Sequence, residues 1–295
     1  MAKRNIFLIV IAGLFYAGLL VYFGVAKNTG PGPGLFIGPL FLRFYSVMFF
    51  FGVLFAWLAA KALRERFGLS ENDLDNLVMV CIIAGLFGAR IHHVLSEWEF
   101  YRGHLYEIFS LWKGGLGFYG GLAGAGMGVW VYARIKTLNF FSVAGLLACV
   151  LPLGQAFGRW GNFFNSEAYG QPTGLPWGMF VSPEYRLPEF GSFSYFHPLF
   201  LYESFYNLVV FAVLLLALKR AKFSRLFLLP GYLVLYPLGR FWLEGLRLAP
   251  TMIFGVPLNQ LLSLLVIALG LFLLVHFVRS LARSRPSRHS WTSDF

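Results

Sequence analysis

Eight apolar runs, each near 20 residues long, constrain this chain more than any other feature. They cover about 5–26, 41–62, 77–95, 114–133, 140–157, 198–218, 227–246 and 258–278. Each run matches the roughly 20 residues that a helix needs to cross a bilayer. The runs are continuous rather than alternating, which argues against a membrane β-barrel. With 58% apolar and 13% charged residues and a mean hydropathy of +0.68, the chain is unlike an ordinary soluble enzyme, a disordered chain or a disulfide-dense mini-protein. The expected fold class is an all-α polytopic integral membrane protein of about eight transmembrane helices.

The first run follows Met-Ala-Lys-Arg, and Gly24-Val25-Ala26 loosely resembles a cleavage site. The run exceeds a usual signal-peptide core, so an uncleaved anchor is favoured. The Gly/Pro stretch 28–34 then acts as a linker. The expected organisation is an N-terminal helix and linker over 1–35, a membrane domain over 36–278, and a basic tail over 279–295. Basic residues gather at Lys3, Arg4, Lys61, Arg64, Arg66, Arg134, Lys136, Lys219, Arg220, Lys222, Arg225, Arg279, Arg283, Arg285 and Arg288. The positive-inside rule places both termini in the cytoplasm. The polar segment 159–196, with four prolines, becomes a small head on the outer surface. The +11 net charge follows from this topology, and no separate basic face points to nucleic acid. Cys81 and Cys149 lie in apolar stretches without CxxC or His spacing, so they read as packing residues, neither disulfide nor metal ligands. The eight glycines of 114–128 read as a close helix–helix contact.

Charges inside a membrane are costly and mark function. The topology puts several polar residues at one depth, in the outer half of the bundle. Arg240 falls about 10 Å inside the outer end of the seventh span. Arg90, Glu203, Tyr45 and Tyr119 fall in the outer parts of four other spans, and Arg159 at the outer end of the fifth. Tyr236, Arg240, Glu244 and Arg247 are spaced to line one helix face, as are Glu203 and Asn207. Structural readings compete. Arg247, Arg102 and Lys113 suit interfacial anchors whose charges reach water. Arg90 suits either a structural pair with Glu97 or Glu99 or a place in the polar set. His92 and His93 suit packing, and Glu244 suits neutralisation of Arg240. Arg159 and Arg240 resist such readings best, because nearby acids do not obviously cancel both. Guanidinium pairs bidentately with phosphate, so a phospholipid headgroup is the expected ligand.

The segment GRWGNFFNSEAYG at 158–170 closely resembles the signature of the prolipoprotein diacylglyceryl transferases. HPLFLYESFYN at 197–207, GRFWLEGLR at 239–247, GGLGFYGGL at 114–122, IGPLFLRFYS at 37–46 and PLNQLLSLL at 257–265 resemble the family's other blocks, in the family's order. The resemblance covers roughly 36–278 and leaves 1–35 as one helix more than the family's core of seven. It implies transfer of the diacylglyceryl group of phosphatidylglycerol onto the lipobox cysteine of a prolipoprotein signal peptide. Glycerol phosphate is released at the outer face of the bacterial inner membrane, with no metal or organic cofactor.

By the same resemblance Arg159 and Arg240 are the family's essential arginines. Arg240 is assigned to the phosphate and departing oxygen and Arg159 to headgroup placement, an assignment that can be exchanged. Tyr45, Asn162, Glu167, Glu203, Tyr236 and Glu244 are assigned to headgroup binding and orientation of the arginines. The chain has Tyr119 where the best-known members carry a histidine. A phenol with a pKa near 10 serves as base only if nearby guanidinium groups lower it. Otherwise Tyr119 positions the headgroup and the electropositive site ionises the thiol. His197 is expected to cap the start of the sixth span. A lipid transporter using the same pocket is the competing class, but the internal repeats common in transporters are not seen.

Overall fold

Where the sequence is apolar the backbone is helical. The structure, a computed structural model, describes residues 2–220 and 225–283, with side chains from residue 13 onward except Lys113. Lys3, Arg4, Lys222, Arg285, Arg288 and most of the expected basic tail therefore lie outside the described side chains. Among the described residues there are nine α-helices. They are α1 (Ala2–Ala26), α2 (Phe44–Leu63), α3 (Glu71–Ser96), α4 (Trp98–Tyr101), α5 (Phe118–Ile135), α6 (Phe140–Phe164), α7 (Leu199–Lys219), α8 (Leu228–Glu244) and α9 (Leu258–Arg283). All but the one-turn α4 coincide with the expected runs. Among the described residues six helical stretches are long and apolar enough to cross a membrane: Phe44–Phe67, Glu71–Ser96, Phe140–Phe164, Leu199–Lys219, Arg225–Glu244 and Leu258–Arg283. Large apolar side chains such as Phe49, Phe50, Leu265 and Phe272 remain exposed on these helices, as lipid-facing positions do. The chain is an all-α polytopic membrane protein.

Among the described residues the strands form three short hairpins: β1 (Gly34–Ile37) with β2 (Leu40–Arg43), β3 (Met179–Phe180) with β4 (Tyr195–Phe196), and β5 (Met252–Ile253) with β6 (Val256–Pro257). Gly38, at the first loop position of the β1–β2 hairpin, takes φ +60°, which a two-residue hairpin turn of the primed type requires.

The chain divides into two compact units, residues 1–59 with 147–295, and residues 60–146. In the first, α2 and α6 meet at glycines: a Cβ on Gly52 would stand 2.6 Å from the Gly154 carbonyl oxygen. Phe55, Phe157, Trp160, Phe163 and Phe200 build an aromatic core. One face of α1, carrying Tyr16, Leu19, Phe23 and Ala26, is buried in it. The segment expected as the head, 159–196, opens with the end of α6, which runs to Phe164. Its segment 170–173 is held on both sides, Gly170 N–H donating to His197 O at 2.9 Å and Gln171 N–H to Leu246 O at 2.9 Å. Tyr169 donates to Tyr185 O at 2.6 Å, and burial pushes its phenol above the ordinary value, so it stays a donor.

In the second unit, α3 and α5 pack through glycines as expected. A Cβ on Gly124 would stand 3.0 Å from Gly88 Cα. The helix starts at Phe118, so Gly114–Gly117 is connecting backbone, with φ +87° at Gly114 and +77° at Gly115. Arg90 is 6% exposed and does not pair with Glu97 or Glu99. Its Nε donates to Ile108 O at 2.8 Å, its Nη1 to Gly114 O at 2.7 Å and Gly115 O at 2.8 Å, and its Nη2 to Glu107 O. The segment between α4 and α5 is short turns and connecting backbone, and one five-donor guanidinium gathers four of its carbonyls, of which Glu107 O also accepts from Ser110 N–H at 3.0 Å. Arg90 thus organises the approach to Tyr119.

Candidate active site

Three helices of the first unit bring the polar residues together. Helix α6 supplies Arg159 and Asn162, α7 supplies Glu203, and α8 supplies Tyr236, Arg240 and Glu244. Glu203 is 7% exposed and stands between the two arginines. Arg240 Nη1 donates to its Oε1. Arg159 Nε approaches its Oε2 at 2.6 Å, a charge contact outside hydrogen-bond alignment. Arg240 Nη2 donates to Glu244 Oε2 at 3.2 Å. The other Glu244 oxygen accepts from Asn259 Nδ2 at 2.9 Å, and Arg247 Nη1 lies 3.7 Å from Oε2. Beside this row opens a cavity of about 350 Å3, lined by Arg159, Asn162, Glu167, Glu203, Arg240 and Glu244, together with Arg247 and apolar walls that include Leu199 and Leu243.

The local sequence explains the placement. Helix α6 runs to Phe164, seven residues past the expected end at 157, so Arg159 and Asn162 are helical rather than in irregular backbone. Gly158 and Gly161 look like breakers in the sequence, yet both lie within the helix. Gly161 serves close packing: a Cβ there would stand 2.7 Å from Tyr45 Cδ2. The Tyr45 ring lies flush on α6, and its hydroxyl feels both Glu167 and Arg159. The helix ends in a Schellman arrangement, with Ser166 N–H donating to Phe163 O at 3.0 Å and Glu167 N–H to Asn162 O at 3.0 Å. Ser166 takes φ +52° to make that turn. The turn carries Glu167 back over Asn162, whose Nδ2 donates to Glu167 Oε1 at 2.8 Å. Asn162 Oδ1 accepts from Arg159 Nη1 at 3.5 Å. Tyr236 lies beside Arg159 and stacks on Tyr232 at 5.4 Å.

We expect Gly161→Ala to force the Tyr45 ring aside. Overpacking of this kind costs about 1–3 kcal/mol, and thermal unfolding of the detergent-solubilised variant measures it.

Several expectations change. Arg159 and Arg240 are not short of acids: Glu203 serves both, Glu244 serves Arg240 and Arg247, and Glu167 joins through Asn162. Three arginines face three glutamates around the cavity, because helices of this depth cannot bury unpaired charge. Arg247, expected as an interfacial anchor, also lines the cavity beside Glu244. His197 does not cap α7. Its Nδ1 lies 3.1 Å from the Tyr202 hydroxyl, and the α7 start has no side-chain cap. Arg102 does suit an exposed surface role, paired with Glu99. Asn259 was not singled out in the sequence, although the PLNQ stretch contains it; its role depends on α9 passing Glu244.

Tyr119 belongs to the second unit. It lies in the first turn of α5, half-exposed, with its ring 6.4 Å from that of His92. His92 Nδ1 is buried without a hydrogen-bond partner, and His93 packs edge-on to Tyr101.

Known proteins give the arrangement its family. A model of the family described as prolipoprotein diacylglyceryl transferase matches residues 34–276. Proteins named phosphatidylglycerol–prolipoprotein diacylglyceryl transferase are similar along most of their length. The Nostoc protein is 42% identical over 251 residues, 82% of this chain and 88% of its own. The Fervidobacterium nodosum protein is 41% identical over 235 residues, 79% of this chain and 80% of its own. The Thermotoga maritima protein is 39% identical over 280 residues, 92% of this chain and 94% of its own. Arginine–glutamate pairs linking three helices around one cavity, the ordered sequence blocks and these matches agree: the chain belongs to the prolipoprotein diacylglyceryl transferase family.

Proposed function

We propose that this chain transfers the diacylglyceryl group of phosphatidylglycerol to the lipobox cysteine of prolipoprotein signal peptides. The observation that carries the reading is the shared Glu203: one carboxylate aligns Arg159 and Arg240 along the wall of a single cavity. A guanidinium has five N–H donors. Glu203 and Glu244 take two from Arg240, leaving donors of a fixed fork for a phosphate.

The chemistry then assigns roles. The cysteine sulfur attacks the glyceryl carbon bonded to the phosphate oxygen. The C–S bond forms, the C–O bond breaks, and its electron pair stays on departing glycerol phosphate. Arg240 faces the phosphate and stabilises the charge that grows on the bridging oxygen, the largest kind of effect that a preorganised dry site supplies. Arg159 places the headgroup, supported by Tyr236 and Asn162. Glu167 lines the cavity beside Asn162, Tyr45 packs on α6 at Gly161, and Glu203 and Glu244 hold the two guanidinium planes. The thiol must lose its proton, because the thiolate is the nucleophile. Tyr119 takes that proton only as the phenolate, the form that nearby guanidinium groups would have to favour; no metal or organic cofactor enters the scheme.

The site faces the periplasmic side of the bacterial inner membrane, with the 159–196 head outside and both termini in the cytoplasm. Residues 1–35 form an added helix and linker, 36–278 the transferase domain and 279–295 a basic tail. Positive-inside charge distribution supports this orientation. The bilayer delivers the lipid, and the acceptor is the lipobox segment of a signal peptide.

Purified protein with labelled phosphatidylglycerol and a lipobox peptide tests the reading. A thioether-linked diacylglyceryl peptide and free glycerol phosphate are expected in equal amounts; lipid released intact would make the chain a transporter. Tyr119→Phe is expected to lower turnover about 100-fold, the scale of general base catalysis. A rate near that of the unmodified chain would reduce Tyr119 to a positioning residue.

A further inference from the structure

Helix α1 ends at Ala26, before the stretch 34–276 that matches the family, yet it reaches the residues next to the ion pairs. The Tyr16 hydroxyl lies 2.9 Å from Ser204 Oγ, and Ser204 Oγ–H donates to Ala156 O at 2.7 Å. A serine hydroxyl has one proton. That proton goes to Ala156, so Tyr16 must be the donor and Ser204 the acceptor. Ser204 is fully buried. Tyr16 also stands edge-on to Trp160 and Phe157, each at 5.8 Å. Two turns further, Phe23 packs edge-on to Phe163 and Phe200, each at 5.5 Å.

These contacts have a shared address. Ser204 follows Glu203 on α7, Trp160 follows Arg159 on α6, and Ala156 lies three residues before Arg159. The relay Tyr16–Ser204–Ala156 thus joins α1, α7 and α6 at the level where Glu203 meets Arg159. The buried face of α1 covers the side of α6 bearing Phe157, Trp160 and Phe163, next to the side that presents Arg159 and Asn162. Rotation of α6 against α7 would break the relay and the Arg159–Glu203 contact together.

We propose that Tyr16 is a positioning residue for the transfer reaction: the N-terminal helix sets the rotational register of Arg159 against Glu203 through Ser204. This inference rests on the proposed function only for its catalytic consequence. Misplacement of a positioned group by about 1 Å costs up to about 100-fold in rate, and a partial loss of register is expected from one hydroxyl.

The test compares Tyr16→Phe, Ser204→Ala, their combination, and Val21→Ala on the exposed face of α1. Tyr16→Phe is expected to lower kcat about tenfold, with KM for phosphatidylglycerol within about twofold. The combined variant should match Ser204→Ala alone, because both remove one relay. Val21→Ala should behave as the unmodified chain. In protein carrying nitrogen-labelled arginine, the Arg159 Nε–H resonance should move in Tyr16→Phe and Ser204→Ala and stay in Val21→Ala. A resonance that stays in Tyr16→Phe overturns the inference whatever the rate. A moved resonance with an unchanged kcat overturns it as well, since the register then has no effect on the reaction. Absence of transfer by the unmodified chain removes the proposed function instead, and the resonance still decides whether Tyr16 places Arg159.

Discussion

Arg240→Ala loses about a thousandfold in turnover, in line with the 100- to 1,000-fold lost when a preorganised charge-stabilising donor is removed from a closed site. The leaving oxygen gains charge only as the C–O bond breaks, so the loss falls on kcat more than on KM. The alanine variant also withdraws a cation from two buried carboxylates. Glu203 keeps Arg159, and Glu244 keeps Arg247 and Asn259. Arg240→Lys separates chemistry from folding. It retains the charge that Glu203 needs, but a point charge cannot span Glu203, Glu244 and a phosphate as a fork does. We expect the lysine variant to unfold close to the unmodified protein and to remain about 100-fold slower. Single-turnover transfer to a lipobox peptide, beside thermal unfolding in detergent, measures both. A lysine variant of normal rate would remove Arg240 from the leaving-group role.

The second large effect is on stability. Glu203→Ala takes one carboxylate from two arginines at once. Arg159 and Arg240 are mostly buried, with side chains 26% and 17% exposed. Breaking a buried pair by removing one partner costs about 3–5 kcal/mol, because the remaining charge stays desolvated. Glu203→Ala is therefore expected near that range, and Glu203→Gln near its lower end, since the amide oxygen still accepts from one guanidinium. Denaturation in mixed micelles followed by fluorescence tests the order. A Glu203→Ala protein as stable as the unmodified chain would show that the two arginines find other acceptors.

Both effects come from an arrangement only partly legible in the chain. The spacing of Tyr236, Arg240 and Glu244 was sufficient to put them on one face of α8, because a helix repeats every 3.6 residues. Glu203 and Asn207 follow the same rule on α7. Local sequence was misleading where a residue type has two uses. Gly158 and Gly161 resemble the end of a helix, yet α6 continues through them. Gly161 is small because the Tyr45 ring lies against it, and that contact involves a residue more than 100 positions away. Arg90 resembles half of an ion pair, yet it gathers four backbone carbonyls of a connecting segment. Which carbonyls lack partners depends on where neighbouring helices begin and end.

What the sequence determined by itself is everything that hydropathy and helical period encode: the helical class, the places of the eight long helices, the polar faces of α7 and α8, and, through six ordered blocks, the family. Only the tertiary structure decided how the charges are shared. One glutamate between two arginines, a second between Arg240 and Arg247, and a tyrosine of α1 reaching Ser204 are pairings between distant stretches of chain. A buried charge takes whichever partner packing brings near, and linear order does not contain that proximity.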